Sequence, residues 1–510
     1  MNLEHLEREE LIAINSQLLQ KVEALQAHLR LILSNKHGKK SEVINSAQLQ
    51  LFGIEDESNE ESDGDENADT ETITYNRKKR GKRKPCDEDL ERVRVVHDLP
   101  EEEKQCACCG EQLAETGEEV SQKYEYVPAK FLVKQHVRKK YACTACKSPA
   151  SMKTASKDPE ILPKSNASEG LLANIITEKY VDGMPLARQE KKYYRHGVSI
   201  PRNTMARWCI DLGQSVIPII NVFEDAIRSG PCIHGDETTI QVLKEVGRKP
   251  NTKSYLWTRR GGVAGRQCVL FNYDPHRSAS VVEQLFSDYS GHVQCDGYVS
   301  YQVLEGEEYD ILLVGCMAHA RRKFTDALKS LSNKEKAQKT KSAEAIAFIK
   351  QLYKIEQRIK DSSDEERLAI RQQEAKPILE QFHQWLTSTM ALPKSPLGKA
   401  INYCLNQWPR LIRYCDASYL EIDNNSVERA IRPVAIGRKA WLFADTPDGA
   451  HTNARFYSLI ETCKLHGHEP YAYLKYIFKE LPKAQTIEDF EALAPWNLVP
   501  ETLKELARDL

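Results

Sequence analysis

Leu11, Leu18, Leu25 and Ile32 recur every seven residues, with Arg8, Asn15, Val22 and Leu29 on the companion heptad positions. A seam of that kind predicts a short parallel coiled coil over residues 1–36, with Asn15 setting register and pairing. Arg8 and Ile32 weaken its two ends, and an amphipathic helix packed on its own domain would carry the same pattern. From 160 to 228 the apolar positions return at helical spacing. They predict helices over Ser168–Tyr180 and Pro185–Tyr194 and a third from about Pro201 past Trp208. The pattern then changes. Strand signals fall at 232–243, 254–260 and 267–273, a helix near 279–288, strands near 292–296 and 311–315, and a helix opens at Met317. Three strands in sequence, then a helix and a returning strand, form an α/β layout. From Asn333 to about Tyr419 the chain reads as helical, and Asp423 starts a helix bearing Glu428. The α/β unit, 229–330 and 421–449, is therefore expected to be interrupted by a helical insertion over 331–420, far beyond an ordinary loop. The tail from 450 to 510 reads as helical, broken at Pro470, Pro482 and Pro495.

Composition narrows the class. A chain of 510 residues exceeds the roughly 250–300 that one core supports, so several domains are expected. It is 41% hydrophobic and 29% charged, and no apolar run approaches the roughly 18 residues of a membrane span. The expectation is a soluble, cytoplasmic protein with no membrane partner. The acidic, heptad-patterned start does not read as a signal peptide. Fourteen cysteines without a secretory pattern point to a reducing compartment, with thiols free or holding metal.

The net charge of −2 does not announce nucleic acid, but its distribution matters. Residues 55–71 carry ten acids and no base, and 77–84, which include Lys82, Arg83 and Lys84, carry seven bases in eight residues. Neither block can bury a core, so 37–95 is expected to be a disordered linker. Its basic run either touches DNA phosphates or pairs with the acidic block as a solvated tether.

Cys106, Cys109, Cys143 and Cys146 form two CxxC knuckles separated by 33 residues. Paired knuckles suit one tetrahedral structural Zn²⁺, with redox chemistry as the rival. The intervening strand-like stretches, Tyr124–Val127 and Phe131–Tyr141, suggest a hairpin that returns one knuckle to the other. Lys130, Lys134, Arg138, Lys139 and Lys140 make this module, 96–152, basic, which suits DNA or, more blandly, a protein partner. In 160–228, a helix, a turn containing Gly197 and a helix opening with Arg202, Asn203 and Arg207 resemble a helix-turn-helix, although helical hairpins are common.

The stretch Ile233-His234-Gly235-Asp236-Glu237-Thr238 sets an acid into a strand. Acids are costly in a core unless partnered, and a metal ion is one partner. Asp296 follows the strand-like His292–Cys295, and Glu428 lies at a helix start. Three such acids suit hard cations, Mg²⁺ first, and in-line displacement at phosphorus. Each also has a plain reading. Asp236 can pair with a buried base, and Asp296 can stabilise the turn at Gly297. Glu428 can complete a capping box with Asn425 as N-cap, or pair with Arg432. His319, Arg322 and Lys323 share a helix face and either hold phosphate or are solvated. His234 faces the same side of the strand as Asp236, where it can support a site.

Taken together, the heptads, the knuckles, His234–Thr238, Cys295–Tyr298, His319–Phe324 and Asp423–Arg429 resemble the bacterial insertion-sequence transposases of the family numbered sixty-six, over nearly the whole length. The resemblance implies a DDE transposase with a ribonuclease-H-like mixed sheet, a helical insertion before the Glu, and Asp236, Asp296 and Glu428 as the triad. It also implies Mg²⁺ or Mn²⁺ at that triad, structural Zn²⁺ at the knuckles, and an N-terminal half that binds the element ends. The implied partners are double-stranded DNA of element ends and target, a second copy of the chain or a higher assembly, and two small accessory proteins of the same element, at the nucleoid. A nuclease that cuts without joining and a non-catalytic zinc-dependent DNA-binding regulator are the alternatives.

Overall fold

A computed structural model of the chain describes residues 93–94, 120, 130–142, 152–331 and 340–508. The heptads, Lys82, Arg83 and Lys84, and the four knuckle cysteines Cys106, Cys109, Cys143 and Cys146 lie outside the described residues. The chain divides into two units. The one spanning 56–136 contributes 93–94, 120 and 130–136, none of them in a helix or strand. The description that follows concerns the other.

Lys140–Ala142 (β1) and Met152–Thr154 (β2) pair antiparallel, with Tyr141 opposite Lys153. This corrects one expectation. Of the strand read over Phe131–Tyr141, only Lys140 and Tyr141 lie in β1, and the Tyr124–Val127 stretch lies outside the described residues. The run before β1, from Leu132 to Lys139, is exposed, its Leu132, Val133 and Val137 included.

Four helices follow: Glu169–Tyr180 (α1), Leu186–Arg195 (α2), Arg202–Ser215 (α3) and Ile217–Arg228 (α4). Ser168 caps α1 by accepting the Leu171 N–H at 3.3 Å. Gly197, at φ +79°, turns the chain out of α2 towards α3. Leu172, Ile176, Met205, Leu212 and Phe223 are buried, which fixes the inward faces.

The sheet is built from Cys232–Gln241 (β3), Lys253–Gly261 (β4), Cys268–Asp274 (β5), Gly291–Gln294 (β6) and Ile311–Val314 (β7). Their order is β5-β4-β3-β6-β7. The first three strands form an antiparallel meander, and β6 and β7 then add parallel to β3. Parallel addition needs a crossover, supplied by Ala279–Phe286 (α5) and by a 3₁₀ stretch over Val299–Glu305. Met317–Lys329 (α6) leaves β7.

The insertion is Lys341–Arg358 (α7), Asp364–Ile370 (α8), a π turn over Arg371–Ala375, Lys376–Ser388 (α9) and Pro396–Ile412 (α10). Ile349, Leu352, Phe382 and Leu386 pack with Phe324 and Met317 of α6, so the insertion extends the core rather than hanging from it. The chain then re-enters at Asn425–Trp441 (α11), which lies across β3 and β4.

The tail is helical and interrupted at its prolines. Pro447–Leu465 (α12), Pro470–Glu480 (α13), Ile487–Ala492 (α14) and Pro500–Arg508 (α15) complete the chain. Pro470 opens α13 and Pro495 opens a 3₁₀ turn, because proline's fixed φ suits a first turn. α12 is no appendage. Its Thr462 and Ser458 hydroxyls accept the Val269 and Phe271 N–H groups of edge strand β5 at 3.0 and 2.8 Å. That closes an edge that would otherwise present unpaired donors. Among the described residues no helix is long and apolar enough to cross a membrane.

Candidate active site

The parallel register of β3 and β6 sets His234 against Gln294. Asp236, two residues beyond one, and Asp296, two beyond the other, therefore arrive at the same level of the sheet. The strand read over 292–296 ends at Gln294, so Asp296 sits on the turn that follows. Its Oδ1 accepts the Tyr298 N–H at 2.8 Å, as the turn reading expects. Its backbone carbonyl accepts the Tyr403 hydroxyl of α10 at 2.7 Å. Gly297 has φ +85°, and a Cβ there would stand 2.9 Å from the Gln407 side chain. The insertion thus fits closely around this acid.

Asp236 and Glu237 alternate across the strand. Glu237 is taken by an ion pair with Arg277, whose guanidinium also stacks 3.5 Å from the centre of the Tyr298 ring. Asp236 has no such neutraliser. Its Oδ1 accepts the Glu237 N–H at 2.8 Å. Burial, followed by the charges of Glu237 and Asp296 and more weakly Glu428, pushes its carboxyl well above the usual range. Among the described residues no base pairs with Asp236.

Glu428 lies in the first turn of α11, but not in a capping box. The N-cap is Asn424, not Asn425, and its side chain makes no cap bond. Asn424 is spent elsewhere. Its Oδ1 meets His234 Nδ1 at 3.0 Å, its Nδ2 donates to the Gly235 carbonyl at 2.8 Å, and its backbone N–H donates to Cys316 Sγ at 3.2 Å. This buried side chain ties the strand of Asp236 to the helix of Glu428, and its backbone ties both to the start of α6. Glu428 then faces α6. Its Oε1 is 3.6 Å from His319 Nδ1 and its Oε2 is 3.6 Å from Arg322 Nη2. Burial raises the Glu428 carboxyl, Arg322 and Arg432 lower it, and Asp423 and Asp296 raise it, for a net rise. Burial and then Arg322 push the His319 imidazole down to about 4, so it is neutral near pH 7.

The fold therefore gathers Asp236, Asp296, Glu428, His234, His319, Arg322 and Arg432 around one end of the sheet. Lys323 is exposed beside them, with Nζ 5.6 Å from the centre of the Tyr403 ring. Arg202, Asn203 and Arg207 are exposed on α3. Sequence reasoning missed several supports. Tyr353 of α7 donates to Asp423 at 2.6 Å, and Asp423 accepts the Asn425 N–H at 3.0 Å. Buried Arg371 donates to the carbonyls of Tyr414, Ala417 and Leu420, which hold the segment leading to Glu428. Asn424 lay inside a recognised motif, but the cap reading fell on its neighbour Asn425 and gave Asn424 no role. Nothing in the sequence marks Tyr353 or Arg371, whose roles arise across tens of residues of helix.

Among known proteins, the family model described as Transposase IS66 family matches residues 164–452, and the IS66 C-terminal element matches 458–496. The zinc-finger binding domain of transposase IS66 matches 103–147, which include all four knuckle cysteines, and the Transposase C of IS166 homeodomain matches 24–95. Three Sinorhizobium fredii proteins, each described as uncharacterized, are similar. The protein y4jD is 31% identical over 78% of this chain and 78% of its own. For y4hP the identity is 28% over 94% of this chain and 88% of its own. For y4qI it is 31% over 80% and 76%.

Proposed function

The chain belongs to the transposase IS66 family, and from that premise we propose that it is a DDE transposase whose catalytic carboxylates are Asp236, Asp296 and Glu428. It cleaves DNA at the 3′ ends of an insertion sequence and transfers them to target DNA. The observation that carries this reading is electrostatic. Acids 60 and 132 residues apart in sequence act on one another's charge, and those acting most strongly on Asp236 are themselves acidic. A cluster of under-neutralised carboxylates suits a divalent cation more than a structural ion pair.

Asp236, Asp296 and Glu428 would hold that cation, Mg²⁺ or Mn²⁺. When bound, it supplies an acidified water or 3′-hydroxyl and offsets charge on the leaving oxygen. The protein's own part is placement. The β3–β6 register sets the two aspartates level, Asn424 holds α11 to β3, and Arg277 keeps Glu237 out of the cluster. Arg322 and Lys323, with neutral His319 beside them, offer donors and positive charge to a phosphodiester backbone.

The sheet order supports a ribonuclease-H-like core over 229–330 and 421–449, with 331–420 as its insertion. α12 packs on β5 and adds to that core. The N-terminal regions, with Lys82, Arg83 and Lys84, Zn²⁺ held by Cys106, Cys109, Cys143 and Cys146, and Arg202, Asn203 and Arg207 on α3, would bind element ends. Bringing two ends together calls for two copies or more, and the element's accessory proteins are candidate partners.

The test is strand transfer in vitro with a pre-cut element end, target plasmid and Mg²⁺, comparing wild type with Glu428→Ala. Joining should fall by about 10²-fold or more in a variant that melts like wild type. Equal joining would remove Glu428 from the site. Cleavage without joining by wild type would favour the nuclease.

A further inference from the structure

Cys316 precedes α6 as its N-cap, and His319 follows three residues later in the first turn. A CxxH spacing lets a thiol and an imidazole reach one ion from one helix turn. Glu428 projects towards them from α11. The Cys316 sulfur, a His319 ring nitrogen and a Glu428 oxygen all lie within 4.8 Å of one another. His319 Nδ1 and Glu428 Oε1 face each other at 3.6 Å, too far apart for a hydrogen bond. Both atoms are buried, and neither has a hydrogen-bond partner among the described residues. Buried polar atoms are rarely left so, and two that point at each other call for something between them. Zn–N and Zn–O bonds of about 2.0–2.1 Å at a tetrahedral centre separate the two ligand atoms by roughly 3.4 Å, close to what is seen here. Thiolate, imidazole and carboxylate, with a fourth position open, is a zinc ligand set, whereas Mg²⁺ has no use for sulfur.

We propose that Cys316, His319 and Glu428 form a site for a thiophilic divalent cation, with Zn²⁺ as its probe, beside the hard-cation site and sharing Glu428 with it. On binding, the Cys316 thiol releases its proton to solvent and a sulfur–metal bond forms, with no change of oxidation state. The Asn424 N–H already donates to that sulfur from 3.2 Å. Arg322 approaches the other oxygen of Glu428 at 3.6 Å and the other ring nitrogen of His319 at 3.4 Å, which leaves Oε1 and Nδ1 to the ion. Its half-exposed side chain can turn outward once His319 carries its proton on Nε2. The consequence rests on the catalytic reading above. A zinc ion here withdraws Glu428 from the hard-cation set and inhibits strand transfer.

The first measurement counts bound zinc per full-length chain after dialysis against Zn²⁺, for wild type, Cys316→Ser and His319→Gln. Serine retains an acceptor for the Asn424 N–H, and His319→Gln is an independent second variant. Each should hold one zinc fewer than wild type, a difference that reads this site whatever the knuckles hold. Co²⁺ substitution should likewise lose one site's worth of sulfur-to-metal absorption in Cys316→Ser. Equal zinc in wild type and both variants overturns the proposal. Zinc added over Mg²⁺ should suppress joining by wild type and spare Cys316→Ser. Equal suppression despite unequal counts overturns the sharing of Glu428. A zinc difference with no joining by either protein leaves the site standing and sinks the catalytic reading instead.

Discussion

At Asp236 a single buried acid costs the fold stability. Its carboxyl is raised in the folded chain by burial and by neighbouring acids, while the unfolded value is about 3.9. Between those two values the folded state binds the extra proton, so stability falls as pH rises through that window and stays low above it. With divalent metal removed, wild type should therefore melt lower at pH 7 than near pH 4.5, as far as this group is concerned. Asp236→Asn, which carries no charge to desolvate, should melt about a few degrees higher than wild type at pH 7 while losing joining activity. Calorimetry with a chelator present checks this, and a variant that melts lower than wild type would mean that Asp236 contributes to folding through its charge. That an acid at 236 is unusual was legible from its strand setting. That burial and the adjacent Glu237 are joined by the charges of Asp296 and, more weakly, Glu428 was not, because those two acids lie far along the chain.

Among the elements, the strands and helices of the central unit were readable because each has a clear period. β4 and β5 fall within a residue of their expected bounds, and α1, α2 and α3 nearly so. The tail read as helical and broken at its prolines, and those prolines open its successive elements. Its real task is to close β5, through hydroxyls whose partners lie 187 and 193 residues away. Replacing them together, Ser458→Ala with Thr462→Val, strands two buried donors and should cost about 1–3 kcal/mol for each. Urea unfolding would read the loss. An unchanged midpoint would show that another group satisfies the edge. The insertion was legible as helices but not as a brace. Its contacts to Asp296, Asp423 and the 414–420 segment come from Tyr403, Tyr353 and Arg371, which sequence leaves looking like ordinary helix residues.

For the whole molecule, the N-terminal zinc-finger region and the mixed sheet belong to separate stretches of chain, so their failures should be separable. Stripping zinc with a strong chelator should weaken binding to element-end DNA and lessen its dependence on salt, because fewer phosphates are neutralised. The far-UV helix signal should be largely kept, since the described helices lie outside 103–147. Collapse of that signal would show that the central unit needs the metal to fold. The family, the α/β class, the interruption by helices and the identity of the candidate acids were all determined by the sequence alone, because periodicity and short motifs are local properties. What only the tertiary structure decided is which groups share a charge environment. The β3–β6 register depends on pairs 60 positions apart, and the Asn424 tie and the facing of His319 and Cys316 towards Glu428 on contacts between residues more than a hundred positions apart. Burial and Coulombic coupling act through space, and no local pattern in the chain encodes them.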